Sequence, residues 1–130
     1  MSACVLDCSV VADLLVGAEG PALVAPVRHH DWVAPEHLGV EFVSALRGLV
    51  LGGHLTRARA REAVADFADL DICTWPLERP ALERTLQLGG SMTAYDAAYV
   101  VCAEAFDCPL VTRDRRLARS ARRHVEVLVR

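Results

Sequence analysis

Asp7, Glu41, Asp96 and Asp114 are the residues of this chain whose surroundings suggest chemistry. Asp7 ends the apolar run Ala3-Cys-Val-Leu6, and Asp114 stands two residues past Pro109-Leu-Val-Thr112. Asp96 opens a stretch, Ala97-Ala-Tyr-Val-Val-Cys-Ala103, that is apolar all round and therefore buried if helical. Glu41 lies three residues after Leu38 and four before Ala45, at the margin of an apolar helical stripe. Each acid alone has a plain structural use. Asp7 and Asp114 can cap helices, Asp96 can complete a capping box with Thr93, and Glu41 can face solvent. Together they point elsewhere, because caps do not require four acids from four segments to meet. Gathering carboxylates in a partly dry pocket is costly through repulsion and desolvation, and a divalent cation removes that cost. An all-oxygen set without His or Cys at ligand spacing selects Mg²⁺ or Mn²⁺ over zinc.

The elements that must position these acids follow from periodicity. Strands are expected at Ala3–Leu6, Trp32–Ala34, Ile72–Trp75, Pro109–Thr112 and Val125–Val129. Between them, helices are expected from a Ser9 cap to about Gly17, over Pro21–His30, over Glu36–Leu51, from a Thr56 cap to Leu70, over Pro80–Leu88, over Thr93–Phe106 and over Arg115–Arg122. Short apolar strands alternating with helices predict an α/β fold, a mostly parallel sheet covered on both faces by helices. Ligands of such folds sit beyond the carboxyl ends of the strands, where Asp7 and Asp114 fall. The other acids fit this edge less well: Asp66, Asp69 and Asp71 read as a solvated helix end, Glu36 as favourable to its helix dipole, and Asp13 at most as a neighbour.

Composition bounds the alternatives. The chain has 130 residues, 53% of them hydrophobic and 24% charged, with no repeat or linker, so residues 1–130 are expected to form one domain. All 14 basic residues are Arg, which removes lysine Schiff-base and phosphate-loop chemistry. The five cysteines form no C-x-x-C pair and read as small buried hydrophobes in a reducing cytoplasm. No apolar run is long enough to span a bilayer, and the first residues lack the basic region of a secretory signal. The adjacent His29 and His30 point apart on a helix and make a poor ligand pair. Charge is unevenly spread: residues 113–130 carry seven Arg against two acids, net +5, and residues 1–112 carry seven Arg against fifteen acids, net −8.

Four stretches, Val5-Leu-Asp7-Cys-Ser9, Pro35 to Leu46 around Glu41, Thr93-Ala-Tyr-Asp96-Ala-Ala-Tyr-Val, and Pro109-Leu-Val-Thr112-Arg-Asp114-Arg-Arg-Leu-Ala, resemble PIN-domain ribonucleases, and among these the VapC-type toxins of bacterial toxin–antitoxin pairs. The likeness runs in order over nearly the whole chain. It implies a PIN-like fold, a metal-dependent endoribonuclease, and Asp7, Glu41, Asp96 and Asp114 as both catalytic residues and ligands of Mg²⁺ or Mn²⁺. It further implies that Ser9 and Thr112 support the site through hydroxyl hydrogen bonds. RNA as substrate, a cognate antitoxin covering the site and a homodimer are implied as well. Phosphodiester hydrolysis would then proceed through metal-activated water. Cys8 and the Gly39-Val40 pair are minor departures from the family pattern and leave the acidic set intact.

Arg113, Arg115 and Arg116 flank Asp114 and are candidates for binding the substrate phosphate. Phe106 is the only aromatic near this basic end, so stacking on bases is not expected from it. Val40, Val43, Val50 and Leu51 lie off the core stripe of the long helix, where either the following helix or a partner protein would cover them. Two other readings stand beside the nuclease. One is a non-catalytic regulatory RNA- or protein-binding module on the same fold. The other is an aspartyl phosphotransferase using Asp7, which is disfavoured by Ser9 where a second acid is usual and by the lack of Lys.

Overall fold

In the computed structural model, which describes residues 2–130, five strands form one sheet in the order β3-β2-β1-β4-β5. Met1, included in the expected domain, lies outside the described residues. The strands are β1 (Ala3–Leu6), β2 (Asp31–Pro35), β3 (Ile72–Trp75), β4 (Leu110–Thr112) and β5 (Val127–Val129). Every neighbouring pair is parallel, so the expected mostly parallel sheet is wholly so. The helices are α1 (Cys8–Val16), α2 (Leu38–Leu51), α3 (Arg57–Asp69), α4 (Arg79–Gln87), α5 (Ala94–Phe106) and α6 (Arg115–Ala121). Residues Gly20–Val27 form a 3-10 helix where a short α-helix was expected, with Pro26 inside it unable to donate a backbone hydrogen bond.

This strand order reverses direction at β1. The chain winds outward through β2 and β3 on one side, then returns to place β4 and β5 on the other. The crevice of such a sheet opens at the carboxyl ends of the strands flanking the reversal, here β1 and β4. Their register pairs Leu6 with Val111, so Asp7 and Thr112 come next on adjacent strands.

The core follows from the apolar strands and from α5, in which every residue from Ala97 to Ala103 is buried. Such a helix has no solvent face, and it packs against β1, β2 and β4 on one side and against α4 and α6 on others. Its first turn, with Asp96, is thereby pinned beside the sheet edge. Of the stripe expected along α2, Leu38, Phe42 and Leu46 are fully buried. Helix α1 ends at Gly17, where an added Cβ would come within 2.5 Å of the Asp13 carbonyl oxygen. Of the five cysteines expected to be buried, Cys4 and Cys102 are, Cys8 and Cys108 are half-buried, and Cys73 is exposed because edge strand β3 leaves its side chain uncovered.

Candidate active site

Asp7 forms the floor of the site and is only 4% exposed. It, and not Ser9, caps α1: its Oδ1 accepts the Val10 backbone N–H at 3.1 Å, at the spacing a cap requires. The Ser9 hydroxyl is used differently. It donates to Asp7 Oδ1 at 2.6 Å and accepts from the Arg113 backbone N–H at 3.0 Å. Thr112 does the same from β4, donating to Asp7 Oδ2 at 2.5 Å and accepting from the Asp114 backbone N–H at 2.9 Å. Two hydroxyl relays thus tie the loop after β4 to the carboxylate after β1. Burial nevertheless dominates the electrostatics. It pushes the Asp7 carboxyl up to about 6, against the lowering pull of Ser9, Thr112 and Val10, and the charge of Asp114 adds to the rise.

The remaining acids sit on helix starts around this floor. Asp114 caps α6, its Oδ1 accepting from the backbone N–H groups of Arg116 at 2.9 Å and Leu117 at 3.2 Å. Asp96 stands in the first turn of α5, its own N–H bonded to the Thr93 cap at 3.1 Å. Burial, then the charges of Asp114 and Glu41, hold the Asp96 carboxyl above its usual range, against lowering by Thr93 and Arg116. Glu41, in the first turn of α2, behaves oppositely. Burial would raise it, but hydrogen bonds from His37 and Tyr99 prevail and hold it below the usual range. Tyr99 donates its hydroxyl to Glu41 Oε1 at 2.6 Å, and His37 Nε2 lies 3.0 Å from the same oxygen.

The four acids therefore line one edge, close enough that the charge of Asp114 is felt at Asp7 and Asp96, and that of Glu41 at Asp96. Among the described residues, however, no three His, Cys, Asp or Glu side chains stand close enough together to hold a metal ion as they lie.

A PIN-domain family model matches residues 4–123. The chain belongs to the PIN-domain family. Within it, the chain is 35% identical to Ribonuclease VapC12 of Mycobacterium tuberculosis over 124 residues, 95% of either protein. It is 37% identical to Ribonuclease VapC1 of the same species over 120 residues, 91% of this chain and 90% of that one. Its fold matches the crystal structure of VapBC-5, a member of the VapBC family of toxin–antitoxin systems from M. tuberculosis, with a TM-score of 0.60 at 23% identity and full coverage of both chains.

The donor set of this PIN domain suits a hard divalent cation. Asp114 Oδ2 and Glu41 Oε2 receive no hydrogen bond among the described residues, and the four acids offer only carboxylate oxygens. Two clefts flank them. One, of about 330 Å³, runs between Gly90–Thr93, Asp96, Arg116 and Leu117. The other, of about 360 Å³, is lined by His37, Val40, Glu41, Ser44 and Tyr95.

The candidate arginines divide. Arg116 and Arg115 are exposed, and Arg116 lines the first cleft beside Asp96. Arg113 is committed elsewhere, its Nε 3.0 Å from Asp13 and its guanidinium donating to Glu19 at 2.8 Å, so it braces α1 and the turn after it. Asp13 enters the site only through that pair. Glu36 precedes α2 instead of joining its first turn, and its carboxylate accepts from the Leu77 N–H at 3.2 Å. Phe106 lies at the far end of α5, edge-on to Trp75, so the aromatics beside the acids are Tyr95, Tyr99 and His37. The i,i+4 spacing of His37 and Glu41 was the one sequence signal for this trio.

On the opposite flank, α3 leaves part of α2 uncovered. Val43 and Leu51 are exposed there, and Val43, Val50 and Leu51 line a groove with Ala60 and Val64, with Arg47, Arg57 and Arg61 beside it, whereas exposed Val40 faces the Tyr95 cleft instead.

Proposed function

We propose that this chain is a Mg²⁺- or Mn²⁺-dependent endoribonuclease, the toxin of a toxin–antitoxin pair, cutting RNA phosphodiester bonds at the edge formed by Asp7, Glu41, Asp96 and Asp114. The observation that carries the reading is Asp7: a carboxylate sunk below the surface, gripped by two hydroxyl relays, with three further acids around it. A protein that only needed a helix cap would not bury its acid at such electrostatic cost. A divalent cation repays that cost, and when bound it supplies Lewis acidity at the phosphate and makes water acidic enough to ionise near neutral pH.

The chain's own residues do the rest. Asp7, Asp114, Glu41 and Asp96 would hold the cation. Ser9 and Thr112 fix the orientation of Asp7, while Tyr99 and His37 occupy Glu41 Oε1 and leave Oε2 free. Arg116 offers positive charge to the phosphate next to Asp96. The names of the VapC relatives support RNA as the substrate, and the VapBC-5 assembly supports an antitoxin partner. The apolar groove between α2 and α3 suits a partner segment, either the antitoxin or a second copy in a homodimer. No described helix is long and apolar enough to cross a membrane, and a cytoplasmic location accords with free thiols throughout.

The test is cleavage of labelled total RNA by wild-type protein and by Asp7→Asn, with Mg²⁺ or with chelator. Wild type is expected to cut only with the metal, and Asp7→Asn not measurably in either condition. Equal cleavage by both proteins, or cleavage undiminished in chelator, would remove the metal-nuclease reading.

A further inference from the structure

Tyr95 is 65% exposed although it opens the most deeply buried helix of the protein, and Val40, facing the same cleft, is 76% exposed. Neither is used by the core. The Tyr95 ring leans on the His37 ring at a centroid distance of 5.9 Å and a tilt of 50°. His37 Nε2 also lies 3.1 Å from the Tyr95 carbonyl oxygen, which ties the start of α5 to the start of α2. The aromatic is thus supported from behind while its other side stays open. The cleft wall includes Glu41, so the space is continuous with the carboxylate edge. It contains no arginine, whereas the cleft on the other side of Asp96 contains Arg116. Each cleft includes one carboxylate, Asp96 or Glu41, but only the first offers a phosphate a counter-charge, from Arg116. A neutral planar group is suited to the second, with an aromatic face, an aliphatic side chain and the Ser44 hydroxyl around it.

We infer that the cleft of His37, Val40, Ser44 and Tyr95 is a nucleobase subsite, in which one unpaired base of the RNA stacks on Tyr95 next to the phosphodiester held at the acidic edge. This rests on the ribonuclease reading and adds a substrate requirement: a single-stranded RNA whose base beside the cut can leave its stack. Stacking on an aromatic tolerates any base, so Tyr95 sets affinity, and discrimination falls to Ser44 and the cleft walls.

The test measures binding of a short fluorescein-labelled single-stranded RNA to Asp7→Asn protein in Mg²⁺, by anisotropy, with Tyr95→Ala or Tyr95→Phe added. Tyr95→Ala is expected to weaken binding roughly tenfold, within the range of one base–aromatic stack, and Tyr95→Phe to restore it. An abasic sugar scanned along the RNA should cost affinity at one position with Tyr95 present and nothing at that position in Tyr95→Ala. This coupling separates stacking from a general loss of structure. In the Asp7-intact protein, Tyr95→Ala should raise KM by a similar factor and Tyr95→Phe should not. Unchanged RNA binding in Tyr95→Ala, or the same abasic profile in both proteins, would overturn the subsite. Weakened binding of a co-purified antitoxin with RNA binding intact would assign the cleft to protein contact and also overturn it. If wild-type protein cuts RNA while Tyr95→Ala is indistinguishable from it, only the subsite falls; if wild-type protein neither binds nor cuts RNA, the parent reading falls with it.

Discussion

Asp7 and Glu41 together make up half of the proposed ligand set, and both accept a short hydrogen bond from a hydroxyl, yet their surroundings act in opposite directions. At Asp7, on the floor between β1 and β4, burial outweighs three donors and the carboxyl is pushed up to about 6. At Glu41, on the rim at the start of α2, the His37 and Tyr99 hydrogen bonds outweigh burial and the carboxyl is held low. The floor therefore carries the cost of assembling the site, and the rim carries a charge that is already stabilised. A cation stands to relieve Asp7 more than Glu41, because at Asp7 the protein's own hydrogen bonds do not offset the burial of the charge.

The largest expected effect comes from breaking the floor. Asp7→Asn should abolish metal-dependent cleavage and at the same time stabilise the metal-free fold at neutral pH. The folded value near 6 lies above the unfolded 3.8, so protonation favours the folded state. This contribution is complete below the unfolded value and is lost as pH rises through about 6. The difference of roughly two pKa units corresponds to about 3 kcal/mol at pH 7. Denaturant titrations in chelator should find Asp7→Asn more stable than wild type at pH 7, and the two converging by about pH 4. A destabilised Asp7→Asn at pH 7 would mean that the hydroxyl relays outweigh burial, and the contrast with Glu41 would disappear.

How much of this was legible in the sequence follows the range of the interactions. Asp7, Asp96 and Asp114 could be read because each ends a strand or starts a helix, and such punctuation is local. The sheet could be read from short apolar runs alternating with helices. Whether Ser9 or Asp7 capped α1 depended on Thr112, 105 residues away from Asp7: once Ser9 joins the relay from β4, its hydroxyl is spent. Tyr99 was missed as a partner of Glu41 because α5 meets the start of α2 only after folding, across 58 residues, whereas the His37 pair, at i,i+4 spacing, was local and could have been read. Arg113 read as a substrate contact from its place beside Asp114, and Asp13 and Glu19 claim it only because α1 ends against the loop after β4. Charge patterning along a chain locates a basic segment, but it does not say which of its members are already paired.

Breaking the rim should cost less. Tyr99→Phe removes the 2.6 Å bond to Glu41 and little volume, and partners of this kind typically contribute about 10- to 100-fold in metal affinity. Calorimetric titration with Mn²⁺ is expected to show a loss in that range, with cleavage recovered at higher metal concentration. For Glu41 itself, the folded value lies below the unfolded 4.5, so its stabilising contribution is present above the unfolded value and lost as pH falls. The stability advantage of wild type over Glu41→Gln should accordingly shrink as the solution is acidified below about pH 4.5, the reverse of the Asp7 trend. Parallel trends at both positions would show that a single cause governs floor and rim.

The smallest effects should come from the two arginines that sit on either side of this division. Arg116 lines the cleft beside Asp96, whose carboxyl feels its charge, but it is in no close ion pair among the described residues. Arg113 is held by Asp13 and Glu19, and only its backbone N–H serves the floor, through Ser9. A side chain already paired with two acids has little charge left for a phosphate, whereas an unpaired one contributes counterion release on binding. Arg116→Ala should raise KM for a short RNA about fivefold with kcat nearly unchanged, and lower the slope of log affinity against log salt by about one. Arg113→Ala should leave KM within about twofold, because exposed ion pairs carry little energy and its backbone N–H survives the substitution. If the two variants showed the same salt slope, the rim would recruit phosphate through general positive charge, and the pairing of Arg113 would not separate its role from that of Arg116.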